Sequence, residues 1–338
     1  MNVNLISDTA TRPTPAMRDA MFAAPVGDDV FRQDPSVNEL EAYAARLFGM
    51  EGALFCPSGT MTNQLAIKVH TSALDEVICE EKSHVYQYEG GVYSLISNVS
   101  MHLVRGERGK ILPGQIAEAV KPEYDWLPRS RLVVIENTCN KGGGSYYTIE
   151  EAQALVGEAR QHRLAVHLDG ARLFNALAET GEDPAAWGAL FDTISICLSK
   201  GLGAPVGSLL LGPRALIDQA RRFRKVLGGG MRQAGYLAAA GLFALQHHRD
   251  RLVIDNQRAR ELGARLETLA YVARVEPVQT NICIFHLSDR TAETFLRQLA
   301  DAGVAATPFG PRTVRFTTHL DVSQEEVDYV IDLLPRLG

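Results

Sequence analysis

Seven short apolar runs set the limits on what this chain can fold into. They fall at residues 53–56, 77–79, 102–104, 132–135, 164–168, 193–198 and 208–211. Helical patterns lie between several of them, at 37–48, 62–70 and 149–162. Runs this short and this continuously apolar suit strands buried on both faces. Alternation with helices predicts a mostly parallel sheet covered on both sides. Ligands of such sheets collect at the carboxyl ends of the strands. Two of those ends carry charge. The run L-A-V-H-L-D closes on Asp169, and T-I-S-I-C-L-S runs into Lys200-Gly201.

An acid and a lysine on neighbouring strand tips can face one small ligand, and pyridoxal phosphate (PLP) needs that pair. The lysine forms a Schiff base, and the carboxylate keeps the pyridine nitrogen protonated so that the ring accepts electrons. A third strand end supports the reading. Run 53–56 leads into Pro57-Ser58-Gly59-Thr60 and then a helical pattern. A small-residue loop opening a helix offers free backbone N–H groups to a phosphate. Ser58-Gly59-Thr60 is equally an ordinary helix cap when taken alone. Its place at a tip of the same sheet is what favours the phosphate.

From about residue 246 the pattern changes. A helix at 249–269 precedes strands near 272–275 and 282–286, a helix at 291–302, a strand at 313–317 and a closing helix at 323–334. The chain is expected to divide into a large α/β domain, residues 1–245, and a small α+β domain, residues 246–338. The Pro-, Asp- and Gly-rich segment before Asn38 is expected to wrap the large domain or a partner subunit.

Composition excludes several function classes. A formal net charge of −6 gives no general drive towards nucleic acid or anionic membrane. The five cysteines are scattered, and an odd number without CxxC pairs argues against a disulfide framework and structural zinc. The longest weakly polar run, 234–245, is shorter than the roughly 20 residues a membrane span needs. The first residues lack the basic and apolar regions of a signal peptide. A reducing, cytoplasmic protein is expected. No GxGxxG follows an early strand and no HExxH appears, which disfavours a dehydrogenase and a metal-dependent hydrolase.

Further motifs run along the chain: Ser7-Asp8-Thr9, Gly27-Asp28-Asp29-Val30, Asp34-Pro35-Ser36-Val37-Asn38, Pro57-Ser58-Gly59-Thr60-Met61-Thr62-Asn63, Ser83-His84 and Glu136-Asn137-Thr138. His167-Leu168-Asp169-Gly170-Ala171-Arg172, Leu198-Ser199-Lys200-Gly201, Gly228-Gly229-Gly230-Met231-Arg232 and Thr318-His319-Leu320-Asp321 follow. Taken in order, they resemble the L-threonine aldolase family, low-specificity type, among the fold type I PLP enzymes. The resemblance covers nearly the whole chain. It implies an aspartate-aminotransferase-like large domain with a mostly parallel seven-stranded sheet, and cleavage of β-hydroxy-α-amino acids to glycine and an aldehyde.

The resemblance also implies roles. Lys200 would carry PLP, Asp169 would hold the ring nitrogen, and His84 would stack on the ring. Ser58, Gly59 and Thr60 would take the phosphate, with Arg232 reaching in from a neighbouring subunit of a homodimer or homotetramer. Ser7, Arg172 and Arg315 would bind the substrate carboxylate, Arg172 also lying against the cofactor. His84, directly or through water, is the candidate base for the β-hydroxyl proton, since an imidazole titrates near neutrality. Within the basic run Arg221–Lys225, a solvated helix face by default, Lys225 is the candidate for phosphate. His167 reads as a satisfied core histidine. His247 and His248 close a helix.

Two positions depart from the family pattern. Its better-known members carry histidine after Glu-Asn-Thr, where this chain has Cys139. They often have Tyr-Gly where this chain has Phe31-Arg32. Cys139 either reshapes the pocket around the substrate hydroxyl and β-substituent, or faces away as a neutral replacement. Rival functions are another PLP lyase of the same fold and a non-catalytic PLP-fold binding protein. The latter would be expected to lack the lysine, the acid or the carboxylate arginine, and this chain keeps all three.

Overall fold

The structure, a computed structural model, describes residues 1–338. Its strands in chain order are β1 (Val3–Asn4), β2 (Gly52–Cys56), β3 (Asp75–Glu80), β4 (Ser100–Val104), β5 (Arg129–Glu136), β6 (Ala165–Asp169), β7 (Thr193–Cys197) and β8 (Ser208–Gly212). β9 (Val272–Val275), β10 (Ile282–Leu287), β11 (Val304–Ala305), β12 (Thr307–Gly310) and β13 (Thr313–Thr317) follow.

β2 to β8 form one seven-stranded sheet in the order β2-β8-β7-β6-β5-β3-β4. β8 runs antiparallel to both of its neighbours, and the other pairings are parallel. All seven expected strands are therefore present. β2, β3, β7 and β8 are buried along their whole length. Register sets the functional edge: Glu136 of β5 lies beside Asp169 of β6, which lies beside Ser195 of β7.

The C-terminal part of the chain forms an antiparallel sheet, β12-β13-β10-β9, with its own apolar cluster around Phe285, Phe295 and Phe316. β12 is an edge strand containing Pro308 and Gly310, which is where sheets tolerate such residues.

The N-terminal segment contacts both sheets' cores. β1 pairs with β11, and Val3 and Leu5 are packed in the cluster around Phe285. Thr11 Oγ1 donates to the carbonyl of Lys200 (3.1 Å), and Met17 sits in the largest apolar cluster. Asp34 caps the helix Pro35–Leu47 by accepting from Val37 N (3.1 Å), and its other oxygen accepts from Gly27 N and Gly235 N. A side chain at 235 would collide with that carboxylate, since its Cβ would lie 2.5 Å from Asp34 Oδ1. All five cysteines are free and buried, and no helix is long and apolar enough to cross a membrane.

Candidate active site

The carboxyl edge of β5, β6 and β7 gathers a buried charged group. Asp169 ends β6 with its side chain inside the protein. Its Oδ2 accepts from Asn63 Nδ2 (2.8 Å) and its Oδ1 from Ala171 N (3.3 Å). Asn63 Nδ2 also donates to Glu89 Oε1 (2.9 Å), and Glu89 lies 3.0 Å from His84 Nδ1. The polar ends of His84, Glu89 and Asp169 all lie within 4.8 Å of one another.

Asn63 orients this group. Its amide must turn NH₂ towards two carboxylates, so its oxygen faces His167 Nε2 (3.1 Å), which must donate. His167 Nδ1 then accepts from Thr193 Oγ1 (2.9 Å). Burial pushes the pKa of His167 down to about 4, so the ring is neutral at physiological pH. The core histidine thus fixes an amide that in turn positions Asp169.

His84 opens a short helix, His84–Gln87, and its backbone N–H donates to Glu136 Oε2 (2.8 Å). Burial pulls its pKa down, but the Glu89 hydrogen bond and the charges of Asp169 and Glu89 outweigh this and leave it raised. With Nδ1–H directed at Glu89, Nε2 is left as the basic nitrogen. Burial and the charge on Asp169 push Glu136 up to about 7. Glu136 Oε1 accepts from Asn140 N (2.9 Å), so one carboxylate pins the backbone at both His84 and Asn140.

Lys200 follows β7 and is half-buried. Its carbonyl accepts from Thr11 Oγ1 and Gly203 N, which fixes the main chain below the amine. Its charge acts on both Asp8 and His84.

The phosphate-loop residues open the helix Gly59–His70, with Ser58 as its cap, accepting from Met61 N (3.2 Å). Ser58 and Thr60 are exposed. Gly59 packs against β7: a Cβ there would sit 2.7 Å from Cys197 Sγ. The loop's donors therefore open beside the strand that leads to Lys200.

Arg315, in β13, is buried and bound only by neutral groups. Nη1 donates to Asn140 Oδ1 (2.9 Å), Nη2 donates to the Ile6 carbonyl (3.1 Å), and Nε has no partner. Burial and the charge of Arg172 lower its pKa to about 10, which still leaves it cationic at neutral pH. Ser7, next to Ile6, is half-buried and receives Thr9 Oγ1 (2.9 Å).

Arg172 is held by an acid of the chain's own. Its Nε and Nη2 each donate to Asp8 at 2.7 Å, so one edge of the guanidinium is taken by the chain's own carboxylate. Burial pushes Asp8 up, but Arg172 overrides it and holds the carboxyl at about 2. Because that folded value is depressed, the pair's stabilisation is present above about 3.8 and is lost as pH falls towards 2.

The Cys139 thiol is buried within hydrogen-bonding distance of the carbonyls of Glu136 (3.1 Å) and Gly109 (3.3 Å), a placement compatible with the second of the two readings. The bridge between Cys139 and Ser145 turns the side chain into the 108–110 turn, where Gly109 leaves room for it. Asn140, the next residue, points to Arg315 instead.

Lys225 and Arg232 do not touch the Lys200 group. Lys225 lines a surface cavity of about 690 Å³ with Asp29, Arg221, Arg224 and Gly230. Arg232 pairs with Asp28 (2.8 Å) and its side chain is 55% exposed. The loop before it packs on the phosphate-loop helix, since a Cβ at Gly229 would lie 2.4 Å from Met61 Sδ.

Asn63, Glu89 and Asp8 were not singled out from sequence. Asn63 had a usable signal, because it lies one helical turn beyond Gly59 and so on the same face. Glu89 had none.

The sequence profile of the family described as beta-eliminating lyase matches residues 4–290. The low specificity L-threonine aldolase of Escherichia coli K12 is 39% identical over 96% of this chain and 96% of its own length. The low-specificity L-threonine aldolase 1 of Arabidopsis thaliana is 37% identical over 98% of this chain and 94% of its own. The solved structure of Leishmania major threonine aldolase has the same fold, with a TM-score of 0.87 at 22% identity and 99% coverage of both chains.

Proposed function

The chain belongs to the beta-eliminating lyase family and, within it, to the low-specificity L-threonine aldolases; from that premise we propose that it cleaves L-threonine, L-allo-threonine and related β-hydroxy-α-amino acids to glycine and an aldehyde, with PLP as cofactor. The observation that carries this reading is the arrangement around Arg315: a buried cation without a carboxylate of its own, bound to Asn140, whose backbone N–H donates to the Glu136 that lies beside Asp169 at the strand edge.

The residues present fit the cofactor. Lys200 would carry it covalently, Asp169 would take the ring nitrogen, His84 would lie against the ring, and Ser58, Gly59 and Thr60 would hold the phosphate. PLP supplies a sink for the electron pair released when the Cα–Cβ bond breaks. The chain's own groups do the rest. Arg315 grips the substrate carboxylate, with Ser7 beside it, and so fixes which bond of Cα stands in position to break. Arg172, tied to Asp8, backs the same side of the site. His84 takes the β-hydroxyl proton on Nε2, and Glu89, bound to Nδ1, stabilises the imidazolium that forms.

Product analysis decides between this reaction and β-elimination in the same fold. Threonine incubated with PLP-loaded protein is expected to yield acetaldehyde and glycine in equal amounts. Ammonia and a keto acid without glycine would overturn the aldolase reading.

We further propose that two copies of the chain share each site. The support is the exposed Arg232 on a loop that packs beside the phosphate helix. Mixed under subunit exchange, inactive Lys200→Ala and Arg232→Ala proteins are expected to regain part of the parental activity, because one site per mixed dimer is intact. No recovery despite demonstrated exchange would count against sharing. The division at residue 245 belongs to the same reading. It is supported by the separate apolar cluster around Phe285, Phe295 and Phe316, which Val3 and Leu5 join, while Leu252 stays with the largest cluster.

A further inference from the structure

Beside Lys200, Arg172 and Arg315 the site has one more cation, which aldol cleavage does not require. Lys141 follows Asn140, the residue whose amide receives Arg315. Its half-buried ammonium lies 3.9 Å from the centre of the Phe309 ring and 5.5 Å from that of Tyr88. Phe309 also faces the Arg315 guanidinium at 5.0 Å, and the Tyr88 ring lies 5.6 Å from the ring of His84. Lys141 therefore stands on the rim between the carboxylate clamp and the imidazole. Two aromatic faces attract an ammonium but do not cancel its charge.

A β-hydroxy-α-amino acid whose α-carboxylate lies on Arg315 and whose hydroxyl reaches His84 must send its β-substituent towards the rim. Tyr88 and Lys141 occupy that sector. We propose that Lys141 makes the site selective for β-hydroxy-α-amino acids whose β-substituent carries a carboxylate, with 3-hydroxyaspartate as the simplest case. This rests on the aldolase reading above. In the reaction the Cα–Cβ bond breaks, the hydroxyl oxygen becomes the oxygen of a carboxylate-bearing aldehyde, and its proton passes to the base. Cα regains a proton to give glycine, so no oxidant or co-reactant is needed.

The test is the ratio of kcat/KM for 3-hydroxyaspartate to that for threonine, measured on PLP-loaded protein. Lys141→Met keeps an apolar stem without the charge and is expected to lower the ratio at least about fivefold, as suits one charge pair at a half-open rim. Lys141→Arg is expected to hold it near the parental value. The parental ratio is expected to fall with added salt, because a rim pair is screened. An unmoved ratio in Lys141→Met, or equal losses on both substrates, would reduce Lys141 to a pin between the domains and overturn the proposal. If Lys141→Met does not fold, a salt-independent parental ratio overturns it alone. Threonine cleaved with a flat ratio sinks only the charge selectivity. No aldehyde from either substrate sinks the aldolase reading and this inference with it.

Discussion

Lys200→Ala is expected to lower kcat on threonine to below about one-thousandth of the parental value, the scale on which enzymes lose activity when a covalent group is removed. The fold should survive the change. The lysine is half-buried at the sheet edge, outside the apolar clusters, and its main chain is held by Thr11 and Gly203. The other two lysines considered for the site are placed otherwise. Lys225 opens on a surface cavity, and Lys141 is held against two aromatic rings. Borohydride treatment of PLP-loaded parental protein should therefore leave the cofactor's mass on the peptide containing Lys200, and Lys200→Ala should take none. Cofactor mass on any other lysine would overturn the assignment.

How much of this could be read from residues follows from what each signal measures. The large sheet was legible because a strand buried on both faces is apolar at every position. The runs differ from the observed strands only at their ends: residues 132–135 became Arg129–Glu136, because Arg129 and Arg131 are exposed before the strand sinks into the core. β1 and β11 were not legible. Each is two residues long, and each exists only because the other lies beside it, about 300 residues away in the chain. β12 was hidden by Pro308 and Gly310, which a pattern rule counts against a strand and an edge position permits.

At the site, Asp169 and Lys200 stood out because a charge that ends an apolar run is conspicuous. Their supports did not. Glu89 gains its place from Asn63, Gln64 and His84, none of which it follows with any period. The partner of Arg172 is not legible either, because Asp8 lies 164 residues away in the chain. A guanidinium this deeply buried needs a carboxylate, and the chain provides one. Cys139 was judged by the residue it replaces, whereas its direction is set by the Cys139–Ser145 bridge and the room above Gly109.

The second large effect is expected from Asp169→Asn. The change keeps size and shape, removes the charge, and turns one accepting oxygen into an NH2 group, so either the Asn63 or the Ala171 hydrogen bond is given up. That charge is firmly seated: the carboxylate is buried, receives two N–H groups, and helps push neighbouring Glu136 up to about 7. An ionised carboxylate held in this setting favours a cationic partner strongly, which is the condition for keeping a pyridine nitrogen protonated. An amide gives no such preference. Binding should largely persist, because the Ser58–Thr60 loop and Lys200 remain. The expected result is a variant that still holds cofactor but turns over threonine at least about a hundredfold more slowly, read from kcat beside the absorbance of bound PLP. Loss of the charge should also let Glu136 fall back from about 7, though burial will keep it above an exposed glutamate. A cofactor-loaded Asp169→Asn protein with parental kcat would show that the reaction does not draw on this charge. The ring nitrogen would then have to be held by some other group, and the geometry around Asn63 and His167 would be structural support alone.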